Sequence, residues 1–167
     1  MAAAVLAGLA GRGARAAPVY DDPAAYCAAV RTIDKPDGRY RGPAVPDWMA
    51  RALKKAEHSP EDTPLDVFTH AAWRCADGRV LACFYGANLP CGEKADPRRA
   101  PTEPVVAFCR AEPESEIVPA YVTGRRTVFE WRCRAGKPAI VRRVATVDRQ
   151  GYAAKYWYVV TPEPHRP

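Results

Sequence analysis

"WRCADGRV" at residues 73–80 returns as "WRCRAGKP" at residues 131–138, 58 positions later. Each stretch carries Trp-Arg-Cys and then a glycine-centred turn, Asp77-Gly78 in the first and Ala135-Gly136 in the second. Asp-Gly between alternating residues is a strong hairpin signal. On a strand of period two, Trp and Cys share one face and Arg takes the other. Beyond the turns the copies diverge, "RVLACFYG" against "KPAIVRRV". The repeat therefore reads as shared hairpin chemistry, convergent or left by a decayed duplication, rather than as two matched binding sites.

Working outward, strands are expected over 70–75 and 79–85, then over 117–122, 127–133, 139–147 and 152–160. Upstream the period changes. Asp22 is a natural N-cap with Pro23 at the first helical position. Tyr26, Cys27, Val30 and Ile33 then fall near one helical face. A second helix should start at Asp47, with Trp48, Ala52, Leu53 and Ala56 inward. Thr102 should cap a third, carrying Val105, Val106, Phe108 and Cys109. The fold class is α+β, an antiparallel sheet of about six strands (a hairpin plus a four-strand meander) with two or three short helices. A single domain is expected over 17–167, helical across 17–66 and mainly β across 67–160.

The chain has 167 residues, enough to bury a core without a metal. Residues 1–16 open with the apolar run "MAAAVLAGLAG" and reach Ala14-Arg15-Ala16, a small-x-small pattern that reads as a signal peptide. That run is shorter than the roughly 20 residues needed to span a bilayer, and no later segment is suited to crossing one. Six cysteines follow, with no C-x-x-C, and His58, His70 and His165 are scattered. No metal site and no cofactor is expected. An even set behind an apolar leader indicates a disulfide-stabilised protein, periplasmic or secreted. A Cys75–Cys83 bridge is excluded, because a two-residue turn sends the two side chains to opposite faces. Even with a longer turn they would lie on the order of 13 Å apart. Cys91–Cys109 is the favoured pair, stapling the loop over 86–104; Cys27, Cys75, Cys83 and Cys133 are left unassigned.

For catalysis, Cys91 with Lys94 nearby and His70 as base is the best nucleophile candidate, but a disulfide-bonded loop cysteine is the better reading. Among the carboxylates Glu93, Asp96, Glu103 and Glu130, the last is most notable; period two makes it an outward residue between Phe129 and Trp131. No phosphate loop, G-x-S-x-G or H-E-x-x-H occurs. Charge is more informative: 25 Lys and Arg against 19 Asp and Glu give +6. Between residues 121 and 160 there are nine basic residues and two acidic ones. A basic aromatic sheet is expected there, contacting an anionic ligand through Arg125, Arg126, Arg132, Arg142, Tyr156 and Tyr158. In an envelope compartment the partner is an anionic glycan or an acidic protein; nucleic acid is not expected, since no RNA-recognition signature is present. In "GYAAKYWYVV", residues 151–160, Trp157 suits the core, and a ring-lined groove for sugar or peptide is the functional alternative.

The stretches "YCAAVRTIDKPDGRYRGPAVP", "WRCADGRVLACFYGANLPCGEKAD", "FCRAEP", "IVPAYVTGRRTVFEWRCRAGKP" and "VDRQGYAAKYWY" together resemble a family of small exported proteobacterial proteins with no assigned activity. That resemblance covers nearly all of the chain after the leader and implies an envelope setting. Cys75-Ala76-Asp77-Gly78 and Cys133-Arg134-Ala135-Gly136 are also similar to the Cys-x-x-Gly hairpin of periplasmic lysozyme-inhibitor folds. This implies an alternative role as inhibitor of a wall-degrading hydrolase, against which stands the repulsion between a basic sheet and a basic lysozyme. A small hydrolase is the third reading.

Overall fold

The computed structural model describes residues 17–86 and 89–163. The expected leader over 1–16, and His165, lie outside them. Helix α1 (Pro23–Val30) starts where the capping chemistry places it: the Asp22 carboxylate accepts the Ala25 N–H at 2.8 Å. It buries Tyr26 and Cys27. Helix α2 (Asp47–Ala56) turns Met49, Ala50 and Leu53 inward, while Trp48 and Ala52 are only half-buried. The inward face is thus rotated from the one expected, with Leu53 common to both. Helix α3 (Glu103–Ala111) follows Thr102 and buries Val105 and Cys109.

Strands β1 (Ala72–Ala76) and β2 (Arg79–Cys83) pair antiparallel around Asp77-Gly78, both at positive φ (52° and 82°). That is the type I′ geometry that Asp-Gly favours. Strands β3 (Phe129–Arg134) and β4 (Lys137–Arg143) repeat it around Ala135 and Gly136, at φ 48° and 73°. The last strand, β5 (Tyr158–Val160), pairs with β2, not with β4. The α+β class and the antiparallel pairing stand, but the six-stranded arrangement is corrected: five strands form two sheets, β1-β2-β5 and β3-β4.

Two local causes break the expected meander. Pro119 N-caps a short helix α4 (Ala120–Thr123), so among the described residues the segment over 117–122 makes one main-chain hydrogen bond to β3, from the Val118 N–H to the Trp131 carbonyl at 2.7 Å. Farther on, the Asp148 carboxylate accepts the N–H groups of Gln150 and Tyr152 at 2.9 and 3.0 Å. This Asx-type turn reverses the chain at once. A 3₁₀ turn over Ala154–Tyr156 then leaves three residues for β5.

The three disulfides are Cys27–Cys75, Cys83–Cys91 and Cys109–Cys133. The expected Cys91–Cys109 pair is therefore wrong. Cys83 lies on the sheet face opposite Cys75, where the loop carrying Cys91 comes to it; Cys109 points from α3 into the second hairpin. The exclusion of Cys75–Cys83 holds, since Cys75 faces Val80 and Cys83 faces Ala72.

These bridges show that the repeated triplet belongs to a larger unit. Tyr26-Cys27 on α1 and Phe108-Cys109 on α3 lie 82 positions apart, and each helix cysteine bonds the cysteine of its Trp-Arg-Cys strand at a Cα separation of 5.2 Å. The chain leaving each helix returns along that strand. Cys75 exchanges hydrogen bonds with Ile33, and Cys133 donates to Ser115, again 82 positions on. Gly78 donates to the Arg31 carbonyl at 2.7 Å and Gly136 to that of Pro113 at 3.1 Å. The fold is two copies of one helix–return–hairpin unit.

The copies differ in how they finish. In the first, Trp73, Cys75, Val80 and Ala82 face a core with α1 and α2, while Ala72, Leu81 and Cys83 face a smaller one with Cys91, Tyr152 and Trp157. Strand β5 closes the edge of β2. In the second, Phe129, Trp131 and Cys133 pack with Val105, Cys109 and Val118, and no described strand closes β4. That edge is blunted by Lys137, Pro138, Arg142, Arg143 and a bulge that leaves Val141 unpaired. Charge, proline and bulges are the usual protection of an open edge.

Candidate functional site

Beside the N-terminal end of β1 lies an open groove of about 760 Å³. Five rings border it: Tyr40, Trp73, Tyr85, Tyr152 and Trp157. On one wall Tyr40 packs edge-on against Trp73, centroids 4.9 Å apart, and donates its hydroxyl to the Pro43 carbonyl at 2.8 Å. The Trp73 indole donates to the Ala44 carbonyl at 2.7 Å, which fixes the ring in its plane. Gly42 is required in this wall, because a Cβ there would sit 1.9 Å from the Asp21 carbonyl oxygen. On the other wall Tyr152 and Trp157 tilt together at 5.1 Å.

The second wall is held from beneath by Arg74, the middle residue of the first triplet. Its side chain is wholly buried, with the guanidinium 4.6 Å from the Tyr152 centroid and 4.4 Å from that of Trp157. Its terminal nitrogens donate to the Asp148 carboxylate and to the Gln150 side-chain oxygen. Gln150 in turn donates to Asp34 at 3.0 Å, and Lys94 bridges the Asp34 carboxylate at 2.6 Å and the Gln150 carbonyl at 2.5 Å. The Lys94 ammonium also sits 3.9 Å from the Tyr152 centroid. A cation thus lies against each of these rings, and the polar chain runs from the buried sheet face to Asp34 on the groove's rim.

Burial raises the Asp34 carboxyl, but hydrogen bonds from Lys94 and Gln150 outweigh it and hold the group below its ordinary range. Burial pushes the Tyr40 hydroxyl up to about 12, with Asp22 and Asp21 adding to the shift. At neutral pH the rim therefore carries a carboxylate and a protonated phenol, suited to holding a ligand in place. Away from the groove, the Arg98 guanidinium holds the Asp96 carboxyl down to about 2. Both carboxyls are depressed below the value near 4 of an unfolded chain. Their contribution is complete above that value and is lost as pH falls through the folded one. The urea midpoint should stay level from neutrality to about pH 4 and then decline toward pH ~2. Asp96→Asn should flatten that decline; a wild-type midpoint that stays level throughout would rule the coupling out.

The basic residues singled out from the sequence are not gathered here. Arg125 and Arg126 are exposed beyond α4. Arg132 and Arg142 do share the outer face of the β3-β4 hairpin with Arg134. Two of those three are already ion-paired: Arg142 with Glu130 at 2.8 Å, and Arg134 with Glu116 at 2.8 Å and Glu114 at 3.7 Å. Glu130 is therefore a partner on that outer face, as its parity predicts. Tyr156 packs between the second and third core clusters, and Tyr158 packs against the first core from β5. Neither tyrosine joins the arginines. All six cysteines are disulfide-bonded, so Cys91 has no free thiol. The groove itself was signalled only by the ring-rich run over 151–160. Its other wall comes from residues more than 70 positions away, which no local pattern connects.

No family model, curated protein or solved structure matches the chain. The functional argument is carried by this geometry.

Proposed function

We propose that the protein is an exported binding protein of the bacterial envelope, periplasmic or secreted, which takes its ligand in the aromatic groove. The observation that carries the reading is the convergence of five rings on one open groove of about 760 Å³, within the usual size of small-ligand sites. Three disulfides support the compartment, because such bonds persist where the surroundings are oxidising. The groove is favoured over the basic hairpin because the charge of Arg134 and Arg142 is already met within the chain. Tyrosine and tryptophan offer broad, stiff contact surfaces at low entropic cost, which suits recognition of a sugar face or an extended chain.

The test is an NMR screen of the full protein against oligosaccharides, amino-acid amides and short peptides. Hits should perturb Tyr40, Trp73 and Trp157, and Trp157→Ala should weaken them about tenfold or more, the scale of a buried aromatic anchor. Hits confined to the hairpin around Arg132 and Arg142 would move the site there and overturn the groove.

A further inference from the structure

We infer that the groove's ligand is an extended peptide segment of a partner protein, which adds to the open edge of β1 at Trp73; this rests on the groove being the binding site. The inference starts from hydrogen-bond alternation. In an antiparallel pair, residues alternate between exchanging main-chain bonds with the partner strand and pointing them away. Cys75 sends both its bonds to Ile33, at 3.0 and 3.1 Å, so it points away from β2. Trp73, two residues earlier, must then point its own N–H and C=O along the same outer edge. The far side of β2 agrees: Val80 and Ala82, opposite Cys75 and Trp73, are the positions that face Val160 and Tyr158 of β5. Among the described residues neither main-chain group of Trp73 has a hydrogen-bond partner.

The second unit shows what belongs there. At the equivalent strand position the Trp131 carbonyl accepts the Val118 N–H at 2.7 Å. Counting back 82 positions from Val118 gives Pro36, which lines the groove and has no N–H to offer. The first unit therefore begins the same return strand at Ile33 and abandons it at Pro36, leaving one donor and one acceptor beside the rings. An unpaired main-chain donor and acceptor of this kind is met by another backbone, in the manner of strand addition. A sugar stacks on ring faces and offers hydroxyls in no fixed register, whereas an extended backbone presents its N–H and C=O at the spacing of this pair. Charge narrows the partner further. Asp34 is ion-paired to Lys94, whereas Lys35 on the same rim has no carboxylate within reach among the described residues. The segment should carry an acidic residue beside the one that pairs with Trp73, where Lys35 on the rim can meet it.

The experiment uses the intact oxidised protein and a pool of blocked pentapeptides, degenerate at every position except a central valine. A second pool has N-methylvaline at the centre. Members of the first pool should be retained, with Asp or Glu enriched among them, and should slow exchange of the Trp73 amide about tenfold or more. Removing the central N–H should weaken retention by a similar factor, the scale of a lost interfacial hydrogen bond. Equal retention of both pools, no retention of either, or a change that spares Trp73 would overturn the inference. An oligosaccharide such as chitotriose that fills the groove without protecting the Trp73 amide would overturn the peptide and keep the groove. Failure of every probe to reach the groove would defeat both readings.

Discussion

Full reduction is expected to unfold the protein at neutral pH without denaturant, seen as loss of near-ultraviolet circular dichroism and of protected amides. The bridges span sequence separations of 48, 8 and 24 residues. By chain-entropy estimates these loops contribute about 4, 2.5 and 3.5 kcal/mol respectively. Their sum is of the same size as the total stability of an ordinary domain, about 5–15 kcal/mol. The cores agree with this. Each unit's helix is short, eight residues in α1 and nine in α3, and meets its hairpin around a disulfide rather than through a long apolar stripe. Replacing single pairs by alanine should give a ranking: Cys27/Cys75 most damaging, Cys109/Cys133 next, Cys83/Cys91 least. The last pair carries a second consequence. Cys91 lines the groove, so its loss should weaken ligand binding while the urea midpoint falls only modestly. A reduced protein that keeps its near-ultraviolet signal would show that packing alone sustains the fold.

What the sequence makes legible, and what it hides, follows from the range of the forces involved. Asp22 and Pro23 begin α1, Asp47 begins α2 and Asp77-Gly78 turns the first hairpin, each as its local chemistry requires. The alternation of Phe129, Trp131 and Cys133 against Glu130 and Arg132 is plain as well, because one face of the hairpin is buried. The destination of residues 148–160 was not legible. Their composition suits a strand, but Asp148 is captured by a guanidinium 74 positions away, and the strand then joins the first sheet. The disulfides were hidden for the same reason. Cys91–Cys109 looked natural because both cysteines flank one loop, whereas two of the real partners are dictated by a repeated unit whose helical half shares little beyond an aromatic residue and a cysteine. The groove combines the rim at Asp34 and Tyr40 with rings at Trp73, Tyr85 and Trp157, so it exists only once the C-terminal segment has docked on the first sheet.

The two arginines of the repeated triplet should respond unequally to the same substitution. Arg74 is fully buried, while its partner Asp148 keeps 23% of its side-chain exposure, so the pair is asymmetric in where an unmatched charge would be left. Asp148→Asn preserves the shape and an acceptor for the turn but strands a buried guanidinium. Its cost should approach the 3–5 kcal/mol typical of breaking a buried pair. Arg74→Met removes the buried charge, fills much of the space between Tyr152 and Trp157, and leaves a carboxylate that water can reach. Its cost should be smaller, about 1–2 kcal/mol. The double variant should then recover most of the loss seen with Asp148→Asn alone, because no unmatched charge remains. Arg132→Met provides the internal comparison. Arg132 holds the same place in its triplet, but its side chain is half-buried with no ion-pair partner among the described residues, so its cost should lie within about 0.5 kcal/mol of zero. Urea unfolding of the four variants measures all of this. If Arg74→Met proved costlier than Asp148→Asn, the cation between the rings would matter for its stacking more than for its charge balance. The second wall of the groove would then depend on that stacking directly.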